Sequence, residues 1–219
     1  MILSDIQVTY IDSCGSDLSV VNAARVSFHK VSEEVKEGDE KLINYLAKHK
    51  HFSPFNHSFL SFRVKAPIFV ARQLVKHRFM PWNEVSRRYV DDELEFYLPT
   101  DWRLRAASVK QGSSTDTIQM TQDRFQGFDP MPNESLVVAV ASYEKLLQLG
   151  VAPEMARMVL PQSMMTEWIW SGTLGAFADM LRLRLDPHTQ YESRIVAKLI
   201  YPEIEKRFPV SIKALLGTT

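Results

Sequence analysis

Ile6, Val8 and Tyr10 alternate with Gln7 and Thr9, and Leu60, Phe62 and Val64 alternate with Ser61, Arg63 and Lys65. A period of two puts each apolar set on one face of a strand, so strands are predicted up to about Gly15 and across 60–65. Met165 to Trp170 also reads as strand, and Phe96 to Leu98 as a short one closed by Pro99. Elsewhere the period is helical. Ser16 or Asp17 caps a short helix through Val20, Val21 and Ala24. A charged loop over 31–38 leads to a helix from Asp39 to Lys48, carried by Leu42, Ile43, Leu46 and Ala47. Pro67 suits the first position of the next helix, where its missing N–H costs nothing. That helix buries Ile68, Val70, Ala71, Leu74 and Val75, and it puts Gln73 and His77 on one side with Lys76 adjacent. Pro81 then forces a loop.

The segment 100–133 has no clear period and reads as loop with a short helix near Met120. Asn133 caps a helix from Glu134 to Leu149 that Gly150 ends, and Pro153 opens a short helix stopped by Pro161. Helices over 172–185 and 187–200 follow, with Asp186 and Pro187 as cap and first position of the second. Strands and helices mix without a βαβ rhythm, so the fold class is α+β, rich in helix, as one domain over 1–219.

Composition removes several classes of function. With 45% hydrophobic and 11% aromatic residues among 219, the chain buries an ordinary core, which excludes disorder. Acidic and basic residues balance at 26 each, which opposes bulk attraction to nucleic acid or membranes. No apolar run reaches membrane-spanning length, and the N-terminus lacks a signal-peptide pattern; a cytoplasmic, soluble protein is expected. Cys14 is the single cysteine, so neither a disulfide framework nor a thiolate metal site forms within the chain. It lacks an adjacent base and reads as a buried or edge cysteine, not a nucleophile. His49, His51 and His57 are better read as surface or hydrogen-bonded histidines than as metal ligands, and no metal is expected. Glycine-rich dinucleotide fingerprints, P-loops and serine-hydrolase elbows are absent.

Locally the charge balance fails. Residues 72–88 are basic, and 91–95 directly after them are acidic. Lys76, His77, Arg78, Arg87 and Arg88 crowd around Pro81 with Glu84 and Ser86, at a helix end where side-chain cations and free N–H groups can meet an anion. Arg157 and Arg184 each lie on a helix with much apolar surface. Such a guanidinium either finds an internal acid, snorkels to water, or grips a phosphate or the carbonyl edge of a base. His188 follows Pro187 in the first turn of its predicted helix, a place that favours a bound anion.

Lys76-His77-Arg78, seven residues and then Ser86 resemble the Arg-His-Arg-x7-Ser signature of flavin-dependent thymidylate synthases, the ThyX family. Further blocks are similar to that family, in order. They are Ala23 to Phe28, His49 to His57, Val64 to Gln73, Asn83 to Tyr89, Glu95 to Tyr97, Ala156 to Pro161 and Leu183 to Gln190. The resemblance implies a central, mostly antiparallel sheet and a homotetramer whose active sites are each built from several subunits around FAD. It implies conversion of dUMP to dTMP, with 5,10-methylenetetrahydrofolate as carbon donor and NADPH as reductant. By position, dUMP contacts fall on Gln73, Leu74, Val75, Lys76, Glu84, Val85, Ser86, Arg87, Arg88, Arg157 and Arg184. FAD contacts fall on Ser53, Lys76, His77, Arg78, Glu84, Thr173, Gly175 and Asp179, with His51 and His188 near the flavin and folate. Arg184 matches the residue that stabilises uracil ionised at N3, and is the catalytic candidate.

The chain departs from the pattern in two places. Lys76 stands where arginine is usual, which keeps the charge and loses a bidentate fork. Thr173, Gly175 and Asp179 stand where the family commonly has Asn, Arg and Asn, and Asp179 opposes an FAD phosphate. A catalytically impaired dUMP-binding homologue is therefore the alternative reading. A nucleic-acid-binding module using 72–88 is opposed by the zero net charge.

Overall fold

The structure is a computed structural model that describes residues 2–86, 88, 93–107, 112–118 and 132–217. Its centre is a four-stranded antiparallel sheet in the order β2 (Gln7–Cys14), β3 (Phe59–Pro67), β8 (Met165–Thr173) and β4 (Trp82–Glu84). The alternation in β3 does what the pattern predicts: Leu60, Phe62, Val64 and Ala66 are fully buried. They pair in register with Gly172, Trp170, Trp168 and Thr166 of β8, so one sheet face is a continuous apolar surface. On the other face Ser61 meets Ser171 at 2.8 Å, and Arg63 meets Glu167 at 2.8 Å.

Around this sheet lie α1 (Asp17–Arg25), α2 (Glu37–Lys48), α3 (Ile68–Leu74), α6 (Leu174–Arg184), α7 (Tyr191–Arg207) and α8 (Pro209–Leu216). Val70, Leu74, Phe177, Leu181, Val196, Ile200, Ile204 and Ile212 bring their apolar sides into the main core. A smaller core of Leu94, Phe96, Leu136, Tyr143, Ala156 and Met164 sits under α4 (Pro132–Gln148) and α5 (Pro153–Ala156). The short strands β1 (Ile2–Leu3) and β5 (Glu95–Phe96) pair in parallel, and β6 (Trp102–Arg103) pairs with β7 (Thr117–Ile118).

Several boundaries differ from the sequence reading for physical reasons. α2 begins at Glu37 because the Asp39 carboxylate accepts the Lys36 N–H at 2.9 Å. Pro67 closes β3 and caps α3 instead of occupying its first turn, and α3 ends at Leu74. His77 therefore lies in the turn after α3, where Phe79 has φ of 60°, uncommon for a non-glycine residue. The loop expected after Pro81 contains β4, which forms because Trp82 stacks on Trp168 at 4.3 Å. Asn133 lies inside α4 and does not cap it, although Gly150 ends the segment at φ of 81° as expected. The helix predicted over 172–185 starts at Leu174, because Gly172 and Thr173 complete β8.

The last helices differ most. Asp186 and Pro187 do not open α7: the Asp186 carboxylate accepts the His188 N–H at 2.7 Å, making a separate turn, and α7 starts at Tyr191. His188 is thus in a turn, not at a helix N-terminus. α7 runs on to Arg207, and α8 follows, held by buried Asp17, which accepts N–H groups of Val210 and Ser211 at 2.9 Å each. The predicted helix near Met120 lies outside the described residues.

Candidate active site

The C-terminal ends of α3 and α6 and the turn before α7 enclose a cleft of about 650 Å³. Gln73, Lys76, Arg184, His188 and Gln190 line it, with Arg103 and Ser113 from the β6–β7 hairpin. Arg184 is its fixed charge. Its Nε–H donates to His77 Nε2 at 3.0 Å, Nη2 to the Gln73 carbonyl at 3.1 Å, and Nη1 to Gln73 Oε1 at 3.4 Å. Among the described residues no carboxylate pairs with it, so the internal-acid reading fails here. Burial lowers the Arg184 pKa from its ordinary value. The same burial, then the charge of Arg184, lower His77 to about 4, with Asp179 opposing. His77 is consequently neutral at neutral pH and offers Arg184 a lone pair.

A second layer fixes Gln73. Its Nε2 donates to Gln190 Oε1, and its Oε1 accepts from Ser193 Oγ at 3.2 Å. Arg103 anchors the hairpin: it donates to Ser113 Oγ at 2.8 Å, pairs with buried Glu192, and stacks over Tyr191 at 4.5 Å. Burial first, then Glu192, raises the nearby Tyr97 to about 12. Gly112 has φ of 86°, and a Cβ there would meet the His188 carbonyl oxygen at 2.6 Å, so this approach needs glycine.

On the other side of α3 lies a cleft of about 480 Å³, lined by Arg72, Glu84, Val85, Arg157, Met158 and Thr166. Glu84 is oriented by Thr166 Oγ1 at 2.8 Å and Trp82 Nε1 at 3.1 Å. Arg157 is exposed, and among the described residues its side chain makes one hydrogen bond, Nε to the Glu154 carbonyl at 3.4 Å, which matches the snorkelling alternative. Ser86 Oγ accepts from Arg88 N and Nε at 3.4 and 3.3 Å. Arg87 lies outside the described residues.

Within one chain the predicted nucleotide residues therefore fall into two groups. Gln73, Lys76 and Arg184 share one cleft; Glu84, Val85 and Arg157 share the other. Leu74, between them, is fully buried in the core, so its side chain meets no ligand, and only its backbone remains for the contact predicted of it. Val75 is 43% exposed. Cys14 is exposed at the end of edge strand β2.

The predicted flavin residues at the start of α6 form a third locality. Thr173 caps the helix by accepting the Ala176 N–H at 3.2 Å, and its hydroxyl donates to Asn56 Oδ1 at 2.9 Å. Gly175 is buried against that amide: a Cβ would lie 2.4 Å from Asn56 Oδ1. An arginine cannot occupy this position while Asn56 stays in place. Asp179 is exposed and pairs with Arg182 at 2.7 Å, which offsets its charge. Ser53 is exposed in the 3-10 turn Ser53–His57 that carries Asn56. His51 is exposed, its ring parallel to Tyr45 at 6.2 Å, and His188 is exposed beside Asp186.

Sequence reasoning missed Asn56, Arg103, Ser193 and Glu192, and did not assign Gln190. Asn56 and Gln190 lie inside motif blocks and could have been found there, whereas Arg103 sits in a stretch without period.

Residues 9–210 match the family described as thymidylate synthase complementing protein. The flavin-dependent thymidylate synthase of Kosmotoga olearia is 38% identical over 211 residues, covering 96% of this chain and 90% of that one. That of Thermus thermophilus is 40% identical over 204 residues, covering 93% and 73%. Among solved structures, a UMP/dUMP methylase, PolB, from Streptomyces cacaoi bound with 5-Br dUMP has a TM-score of 0.85 at 34% identity, covering 99% of this chain and 97% of that one. Fold and sequence thus define a methyltransferase. The chain belongs to the flavin-dependent thymidylate synthases.

The residues present fit a flavin in chemistry. Exposed Lys76 brings positive charge to the Arg184 cleft, Arg78 is a further exposed cation, and Thr173 with Asn56 supplies polar groups at the α6 N-terminus, where a dinucleotide phosphate is favoured.

Proposed function

We propose that the protein methylates dUMP to dTMP, with bound FAD, 5,10-methylenetetrahydrofolate as carbon donor and NADPH as reductant. The observation that carries this reading is Arg184: a half-buried guanidinium held by three neutral acceptors keeps its full charge for a ligand in the cleft. At a pyrimidine edge that charge favours the base ionised at N3, which makes C5 a carbon nucleophile. No thiol attack on C6 is then needed, in keeping with the edge position of Cys14. Ser86, Arg88 and Arg157 are suited to the nucleotide phosphate. Bound flavin supplies the hydride that completes the methyl group.

The two-cleft division supports a homotetramer with shared sites, because the base-edge group and the phosphate group would meet across subunits. The likeness to a UMP/dUMP methylase favours one second reading, that UMP is also accepted. Purified protein is tested for a flavin spectrum, and then for methylation of dUMP and UMP in parallel with methylenetetrahydrofolate and NADPH. A yellow protein forming dTMP is expected. Flavin-free protein that binds dUMP without turnover would establish the impaired homologue instead, and preference for UMP would reassign the substrate.

A further inference from the structure

We propose that His77 is a positioning residue for Arg184: its Nε2 accepts the arginine's Nε–H and, with the two Gln73 oxygens, fixes the guanidinium plane toward the cleft. The inference rests on the reading of Arg184 as a nucleotide-binding residue.

The geometry makes three points. The acceptor bond is 3.0 Å long and occupies Nε, leaving Nη1 and Nη2 to the weaker Gln73 contacts and to a ligand. The imidazole is itself held. It is half-buried, 6.2 Å from the Trp170 ring, on a turn pinned by the His77 N–H to the Leu74 carbonyl at 3.1 Å and by the left-handed backbone of Phe79. Finally, among the described residues every group that hydrogen-bonds Arg184 is neutral. A carboxylate in the place of His77 would orient the arginine equally well but would neutralise it, weakening its pull on an anionic base.

Accepting at Nε2 requires the neutral ring to carry its proton on Nδ1. Burial and the adjacent Arg184 keep the ring neutral; among the described residues Asp179 favours its protonation. A protonated ring would lose the lone pair and set two cations side by side. His77 therefore works as an orienting acceptor and has no need to exchange a proton.

The test uses the whole flavoprotein. His77→Phe keeps the ring volume without the acceptor, and His77→Gln restores an acceptor near Nε2. Affinity for dUMP is measured by calorimetry. The N3 ionisation of bound 5-bromo-dUMP, whose electron-poor ring ionises readily, is followed by ultraviolet absorption against pH. Expected for His77→Phe is a loss of about tenfold in affinity, the scale of one hydrogen bond to a charged group, with ionisation of the bound base shifted back toward that of the free nucleotide. His77→Gln should recover most of both. A purely structural role would not move the ionisation. Unchanged affinity and ionisation in His77→Phe, with dUMP still binding the wild type, overturns the inference alone. Failure of the wild type to bind dUMP overturns the proposed function with it. Should His77→Phe not fold, ¹⁵N spectra of the wild-type ring decide: the neutral Nδ1–H tautomer is expected, and an Nε2–H tautomer or an imidazolium at neutral pH refutes the role.

Discussion

Arg157 and Arg184 are both cations on largely apolar helices, and the fold treats them in opposite ways. Arg184 is half-buried and makes three hydrogen bonds, each to a neutral acceptor. Arg157 is exposed, and among the described residues its side chain makes one hydrogen bond, of 3.4 Å, to the Glu154 carbonyl of the preceding helix. A guanidinium fixed before the ligand arrives loses little entropy on binding and acts in a water-poor site; an unrestrained one pays for its ordering and is screened. On the proposed function, the difference assigns Arg184 to the chemistry and Arg157 to capture of the nucleotide. Their neighbourhoods agree. The Arg184 cleft is ordered by amide and hydroxyl groups (Gln73, Gln190, Ser193), whereas the Arg157 cleft also holds Glu84, Glu154 and Glu167.

The sharpest way to break this contrast is Arg184→Ala. Turnover should fall by at least about a hundredfold, the scale of losing one preorganised electrostatic donor, while the protein stays folded and yellow. Substantial retained dTMP formation would remove Arg184 from the chemistry. Arg157→Ala should instead weaken dUMP binding by about tenfold and leave the saturated rate nearly unchanged, as expected for a charged contact made equally in ground and transition states. A fall in kcat matching the first variant would erase the distinction. Ser86→Ala belongs with Arg157 and should show a smaller rise in KM, of a few-fold, read from the same steady-state curves.

Legibility in the sequence followed how local the cause was. β3 and β8 could be read because alternating Leu60, Phe62 and Val64, and the tryptophans opposite, carry their reason in adjacent residues. β4 could not, because three residues show no period and the strand depends on Trp82 stacking against Trp168. α8 depends on Asp17, which lies 193 residues before Val210 in the chain. The start of α7 was misread because Asp-Pro is a good cap signal, yet this aspartate caps its own turn. At the site, Gln73, His77 and Arg184 were visible through the motif. The neutrality of Arg184's partners was not: a buried guanidinium predicts an acid nearby, and only the fold puts a histidine and an amide there instead. The reason for glycine at 175, where the resemblance leads one to expect arginine, was equally opaque until Asn56 appeared in its space.

Ionic strength separates the two arginines by a smaller effect. Raising salt from about 0.05 to 0.5 M shortens the screening length severalfold and should weaken the contribution of exposed Arg157 by a few-fold. The contribution of Arg184, in its half-buried cleft, should change less. Measured as dUMP affinity in wild type and both variants, the salt slope should therefore flatten in Arg157→Ala and persist in Arg184→Ala. Equal flattening would mean that the cleft around Arg184 is as open to ions as the surface.

Acid probes the Arg184 cradle through His77, with the smallest expected change. In the unfolded chain this histidine takes a proton near its ordinary value of 6.5, whereas in the fold it resists protonation down to about 4. Between those limits the unfolded state binds more protons than the folded one, so stability falls as pH drops from about 6.5 towards 4. Above about 6.5 both states carry a neutral ring, and the contribution is constant. His77→Gln removes this titration. Its melting temperature should therefore fall less than that of the wild type between pH 7 and 4.5, by a few degrees, since about 1 kcal/mol moves a domain of this size by about 2–4 °C. Other groups titrate in the same interval, but they are common to both proteins and cancel in the difference. Parallel melting curves across that interval would mean that His77 titrates in the fold as it does in the unfolded chain. The most rigid part of the site would then be no better ordered than the cleft across α3.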